Sequence, residues 1–121
     1  MATNDPTGTD WTSTEIDLIV ADYFDMFRAE MAGMVVNKAE RNRALQKLIQ
    51  RSRGSIEFKH QNISAVLDRL GNPWIIGYKP RFNFQSALID GIERFLSAKP
   101  GFIDEALPAI APLAPIAGSG S

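Results

Sequence analysis

Two stretches of this 121-residue chain carry side chains suited to phosphates and base edges. The first is Arg51-Ser52-Arg53-Gly54-Ser55-Ile56-Glu57-Phe58-Lys59-His60-Gln61. Arginine and lysine neutralise backbone phosphates, and arginine, glutamine and serine also hydrogen-bond to base edges. The second is Gly77-Tyr78-Lys79-Pro80-Arg81-Phe82-Asn83-Phe84, where cations alternate with aromatics. There Lys79 and Arg81 suit phosphates, while Tyr78 and Phe82 suit stacking on a sugar or an unpaired base. Arg41, Arg43 and Lys47 precede both stretches as a third set of backbone contacts. A different chemistry is written in Glu57-Phe58-Lys59. It matches the end of a nuclease pattern in which this acid and an upstream one hold Mg²⁺ while the lysine polarises the phosphate. That reading requires a strand at Glu57 and a partner acid, for which Asp25 and Glu40 are available. His60 has no serine–aspartate constellation around it, and the chain holds neither cysteine nor a glycine-rich phosphate loop. No catalytic residue, metal ligand or cofactor is therefore assigned.

The formal net charge of −1 hides a strong segregation. Residues 1–36 hold seven acids against Arg28 alone, whereas residues 37–81 hold ten bases against Glu40, Glu57 and Asp68. A basic middle within a near-neutral chain is the footprint of a surface that meets phosphate. A hydrophobic share of 45% supports one ordinary core. Thiolate metal sites and disulfides are excluded by the absence of cysteine. No apolar run reaches membrane-spanning length, and the polar amino terminus lacks a signal-peptide layout. A cytoplasmic domain with no membrane partner is the expectation.

These side chains must be held by helices. Thr12 with Glu15 three residues on forms a capping box, and Trp11 with Ile16 forms a hydrophobic staple. Ile16, Ile19, Val20, Tyr23, Phe27, Met31 and Met34 then recur at helical spacing, with Gly33 as the stop. Asp17, Asp22 and Asp25 fall mainly off that stripe and are expected to face solvent. Asn37 caps a second helix running to about Gln50, with Ala44, Leu45, Leu48 and Ile49 inward. Ser52 or Ser55 caps a third, whose core stripe is Ile56, Ile63, Val66, Leu67 and Leu70. This helix places Arg53, Glu57, Lys59, His60, Gln61 and Ser64 outward, with Asn62 between. Gly71 and Pro73 end it. Trp74–Tyr78 is a short apolar run with room for one extended segment. Asn83 caps a fourth helix facing the core with Phe84, Leu88, Ile92 and Phe95. The expected fold is all-α, a compact bundle of four to five helices with a helix-turn-helix-like core. Residues 1–10 read as a leader, 11–98 as the helical domain, and 99–121 as an Ala/Pro-rich linker or tail onto which Phe102, Ile103 and Leu107 could still add core contacts.

Trp11-Thr12, Glu15-Ile16, Leu18-Ile19-Val20 and Tyr23, followed by Arg53, Ser55-Ile56, Lys59 and Asn62-Ile63, resemble Myb/SANT-type helix-turn-helix domains. The longer run from Trp11 to Gln85, with RSRGSIEFKHQNISAVL and GYKP, resembles an amino-terminal segment of bacterial restriction-related proteins that precedes HNH-type or uncharacterised effector domains. The resemblance implies a non-catalytic targeting module for double-stranded DNA. Arg51, Arg53, Lys59, His60 and Gln61 would then enter or flank the major groove, and Arg41, Arg43, Lys47, Lys79 and Arg81 would clamp the backbone. The acidic first helix would turn away from DNA, toward an effector or partner. Two other readings stand beside this one: a protein-interaction or self-association module, and the Mg²⁺ nuclease centred on Glu57 and Lys59.

Overall fold

The computed structural model describes residues 10–107. Helix α1 (Ser13–Met31) starts where two backbone donors find reciprocal acceptors. Thr12 Oγ1 accepts from the Glu15 N–H at 3.1 Å, and Glu15 Oε1 accepts from the Thr12 N–H at 2.9 Å. These bonds satisfy groups that a helix start otherwise leaves orphaned. One face of α1 then buries Ile16, Ile19, Val20, Tyr23, Phe24, Met26 and Phe27. The helix stops at Ala32, and Gly33 takes a φ of 82°, a left-handed turn that a β-carbon would strain. Met34, expected on the apolar stripe, lies past that stop and is exposed.

Asn37 Oδ1 accepts from the Glu40 N–H at 3.0 Å and opens α2 (Lys38–Ile49). Its inward residues are Leu45, Ile49 and Asn42, while Ala44 and Leu48 of the expected stripe are exposed. Gln50 is left-handed, with φ 55°, and turns the chain within three residues into α3 (Arg53–Arg69). Ser52 is the cap: its Oγ accepts from the Ser55 N–H at 3.1 Å. Residues 55–59 are therefore helical, not a strand.

Helix α3 is the spine of the bundle, touching α1, α2 and α4 (Ser86–Ala98). Its residues Ile56, Lys59, His60 and Asn62 through Leu67 are all buried, so beyond its first two turns it is enclosed nearly all round. Leu70, expected in the core, is exposed at its end. Trp74–Tyr78 forms an irregular turn in which the Tyr78 N–H donates to the Ile75 carbonyl at 3.1 Å, with Ile75 and Tyr78 buried. The N-cap of helix α4 is Gln85, not Asn83, and its side chain makes no capping bond. The helix crosses α1 so closely that a β-carbon on Gly91 would overlap Ile16 Cγ2.

The stretch expected to be a linker contributes α5 (Phe102–Ala106), which follows a left-handed Gly101. Phe102 is buried edge-on to Phe24 and Phe95 at centroid distances of 5.6 and 5.2 Å, and those two rings stack at 4.8 Å. Such aromatic geometry adds about 0.5–1.5 kcal/mol per pair to the area buried. The described chain is thus all-helical, five helices packed into one bundle. Residues 1–9 and 108–121, which include most of the expected leader and the rest of the tail, lie outside the described residues.

Candidate functional site

The ten residues expected to meet DNA divide into two groups. One group is spent inside the protein. Arg41 holds α2 against α1, with Nη2 at 2.8 Å from both Asp22 Oδ1 and Asp25 Oδ2. Arg51 is only 4% exposed; its Nη2 donates to Glu15 Oε1 at 2.9 Å and to the Asp10 carbonyl at 3.0 Å. The same guanidinium lies 4.6 Å over the Trp11 ring, a favourable cation–π distance. Lys59 is 6% exposed, with its ammonium 5.1 Å from that ring. Burial, and then the like charge of Arg51, pull its pKa down, against a weaker opposing pull from Asp10. His60 is 0% exposed, with Nε2 at 3.2 Å from Asp22 Oδ2 and its ring 4.7 Å from Tyr78. Ser64, also expected outward, is buried and pairs with the Tyr23 hydroxyl at 2.8 Å.

These contacts correct the expected orientation of the charges. Lys59, His60 and Ser64 do not lie on an open groove-facing surface, because α3 is enclosed on that side by α1 and the turn at Ile75–Tyr78. Nor does the acidic first helix turn wholly away from the basic stretch. Glu15, Asp22, Asp25 and Glu30 pair with Arg51, Arg41 and Lys38, the last at 2.7 Å. Much of the charge segregation along the chain cancels in space.

The second group remains outward. The side chains of Arg43, Lys47, Arg53 and Lys79 are exposed and form no ion pair among the described residues. Arg43 and Lys47, four apart, share one face of α2. Arg53, Glu57 and Gln61 form one row along the open turns of α3, with Gln61 half-buried. Arg81 is tied to that part of the helix at three points. Its N–H donates to the Gln61 carbonyl at 3.1 Å, its carbonyl accepts from Asn62 Nδ2 at 2.7 Å, and its guanidinium lies 5.7 Å over Phe58. The aromatic–basic loop is thereby laid along α3.

Three participants escaped the sequence reading. Asp22 bridges Arg41 and His60; it lies three residues from Ile19 and four from Met26, so its place at the edge of the apolar stripe was the available signal. Asn42 donates to the Arg53 carbonyl at 3.3 Å and accepts from Gln46 at 2.8 Å, tying α2 to the first turn of α3. Its helical spacing from Leu45 and Ile49 marks it as inward-facing. Arg69 sits 5.1 Å from the Phe82 ring and 5.3 Å from the Phe84 ring. No local pattern links those three residues.

Tyr78 was read as a stacking residue, but it is buried, and burial pushes its hydroxyl up to about 12. It anchors the loop to the core. Glu57 and Lys59 sit on a helix, one exposed and the other buried, and no group of three His, Asp or Glu among the described residues is placed to hold a metal ion. No described helix is long and apolar enough to cross a membrane. Compared with family models, curated proteins and solved structures, the chain matches none, so its own geometry is what bears on function.

Proposed function

We propose that this chain is a non-catalytic module that binds double-stranded DNA, the targeting part of a restriction- or defence-type protein. Arg53 and Gln61 meet base edges in the major groove, while Arg43, Lys47, Lys79 and Arg81 contact backbone phosphates. The observation that carries this reading is the three-point attachment of Arg81 to α3. It brings the cations of a distant loop beside the open turns of a helix whose Arg53 also faces outward. The arrangement of α2, a three-residue turn and α3 supports a helix-turn-helix mode, in which the amino-terminal part of the second helix approaches the bases. That part of α3 is open here, whereas residues 62–67 are buried.

The reading sets aside Arg51, Lys59 and His60 as groove contacts and Arg41 as a backbone contact, because the fold already uses them. It also weakens head-to-tail self-association, since the acids of α1 that would attract a second copy are matched within the chain.

A titration of the full chain on duplex DNA over a range of salt concentrations tests the proposal. Four phosphate contacts predict a slope of log affinity against log salt of roughly −3 to −4. Absence of duplex binding at low salt overturns it. Mg²⁺-dependent cleavage abolished by Glu57→Gln replaces it with the nuclease reading.

A further inference from the structure

Lys59 has a physical problem that the fold leaves open. The residue is 6% exposed, yet among the described residues its ammonium makes no hydrogen bond and no ion pair. A buried charge without an acceptor is costly, and buried charges are ordinarily paired. Its close neighbours are the Trp11 ring at 5.1 Å and a second cation, Arg51, on the same ring at 4.6 Å. Glu15 and the Asp10 carbonyl engage Arg51, not Lys59. The Asp10 carboxylate attracts the ammonium without bonding to it, and one of its oxygens accepts from Gln85 Nε2 at 3.1 Å. Two cations thus share one indole, and one of them lacks an acceptor. The ammonium is not sealed in, unlike His60 Nδ1 and Asn62 Oδ1, which are enclosed without a hydrogen bond.

We propose that Lys59, Arg51 and the Trp11 indole form a binding site for a phosphate group, at the junction between the start of α1 and the α2–α3 turn. Lys59 supplies the hydrogen-bond donors, Arg51 adds charge, and the indole holds both cations in place. A phosphate oxygen supplies the acceptor that the Lys59 ammonium lacks, while Arg51, itself paired with Glu15, adds only its nearby positive field. With so little of Lys59 exposed, the group enters end-first. The ligand is therefore a free phosphate or the terminal phosphate of a nucleic-acid strand, not a mid-strand phosphodiester flanked by two sugars. The inference is independent of the duplex-binding reading, which uses outward cations on α2, α3 and the Lys79–Arg81 loop.

The test is a titration of ¹⁵N-labelled full-length protein with inorganic phosphate, against sodium chloride at matched ionic strength. The indole N–H resonance of Trp11, assigned with a Trp74→Phe variant, reports binding. The expected result is a saturable shift with millimolar or tighter half-saturation, accompanied by a rise in Tm that chloride does not produce. Lys59→Met and Lys59→Gln abolish both effects. If neither variant folds, the wild-type titration alone decides. A parallel arm compares a short oligonucleotide with and without a 5′-phosphate. A shift only with the phosphorylated strand, added to the phosphate response, identifies a strand end as the ligand; a response to phosphate alone identifies the free ion. No saturable shift beyond that of chloride overturns the proposal.

Discussion

Arg41, Arg51 and Lys59 alternate along the chain with Arg43, Lys47 and Arg53, yet the two sets sit in opposite physical environments. The inward set lies against Asp22, Asp25, Glu15 and Trp11; burial around Arg51 and Lys59 makes each contact there strong and each loss costly, while the Arg41–Asp25 pair is partly solvated. The outward set is solvated, contributes little to folding, and keeps its charge available to a partner. A run of cations in sequence is therefore no measure of surface potential. What separates the sets is which residues lie beside acids or aromatics in the bundle, and every such neighbour comes from a distant part of the chain.

The largest expected effect tests the inward set directly. Arg51→Ala removes the partner of Glu15, the donor to the Asp10 carbonyl and a cation over Trp11 in one step. Breaking a largely buried pair in this way costs about 3 kcal/mol. Arg53→Ala, two residues away, changes stability by less than about 0.5 kcal/mol. Urea denaturation of the two variants reads the difference, and equal losses would dissolve the distinction between the sets.

The acids make a second, smaller contrast. Asp22→Ala leaves His60 Nε2 without its carboxylate and Arg41 with Asp25 alone, a loss of about 1–3 kcal/mol for an unsatisfied buried group. Asp17 pairs with Arg94 at 2.7 Å, but both side chains are about half exposed. Asp17→Ala therefore costs no more than about 0.5 kcal/mol. Thermal unfolding at matched pH ranks the two.

These contrasts also mark what was legible in the sequence. The capping box at Thr12 and Glu15, the Asn37 cap and the Ser52 cap were readable because each is a contact between residues three apart. The helical period of Ile16, Ile19, Val20 and Tyr23 was readable for the same local reason. The inward turn of α3 was not. Lys59, His60 and Ser64 look like a solvated face, with Asn62 between it and the core stripe, and all four are buried because Trp11, Asp22, the Arg81 carbonyl and Tyr23 meet them from elsewhere in the chain. The tail was half legible: it reads as a linker with Phe102, Ile103 and Leu107 available to dock, while the docking of Phe102 beside Phe24 and Phe95 depends on a turn at Gly101 that pattern alone does not aim.

A third effect appears as a slope with pH. Burial pushes the Glu15 carboxyl up, but its bonds and attraction to Arg51 and its bonds to Thr12 outweigh that and hold it below the ordinary value of 4.5. A group depressed in the folded state stabilises the fold above its unfolded pKa, and that stability is lost as pH falls through the folded pKa. Stability of the wild type therefore drops on acidification below about pH 5, where the unfolded carboxyl begins to bind its proton. Glu15→Gln starts lower and falls less steeply over the same range. Equal slopes in the two proteins would mean that the inward Arg51–Glu15 pair contributes nothing to acid sensitivity.

The outward set carries the smallest effect on folding and the clearest on binding. Arg43→Ala, Lys47→Ala and Lys79→Ala each leave stability within about 0.5 kcal/mol of wild type, because none of these side chains has a partner to lose among the described residues. Each lowers the magnitude of the salt slope for duplex DNA by about one unit, since one fewer counterion is released on binding. Arg81→Ala does the same while sparing the backbone bonds to Gln61 and Asn62, so the loop keeps two of its three attachments to α3 and loses the charge and its contact with Phe58. Arg53→Ala differs in kind. If Arg53 meets a base edge, its loss weakens binding by about 1–3 kcal/mol on a preferred sequence and far less on others. A uniform loss across sequences would move Arg53 from the groove to the backbone contacts and leave Gln61 as the proposed base-reading residue of α3.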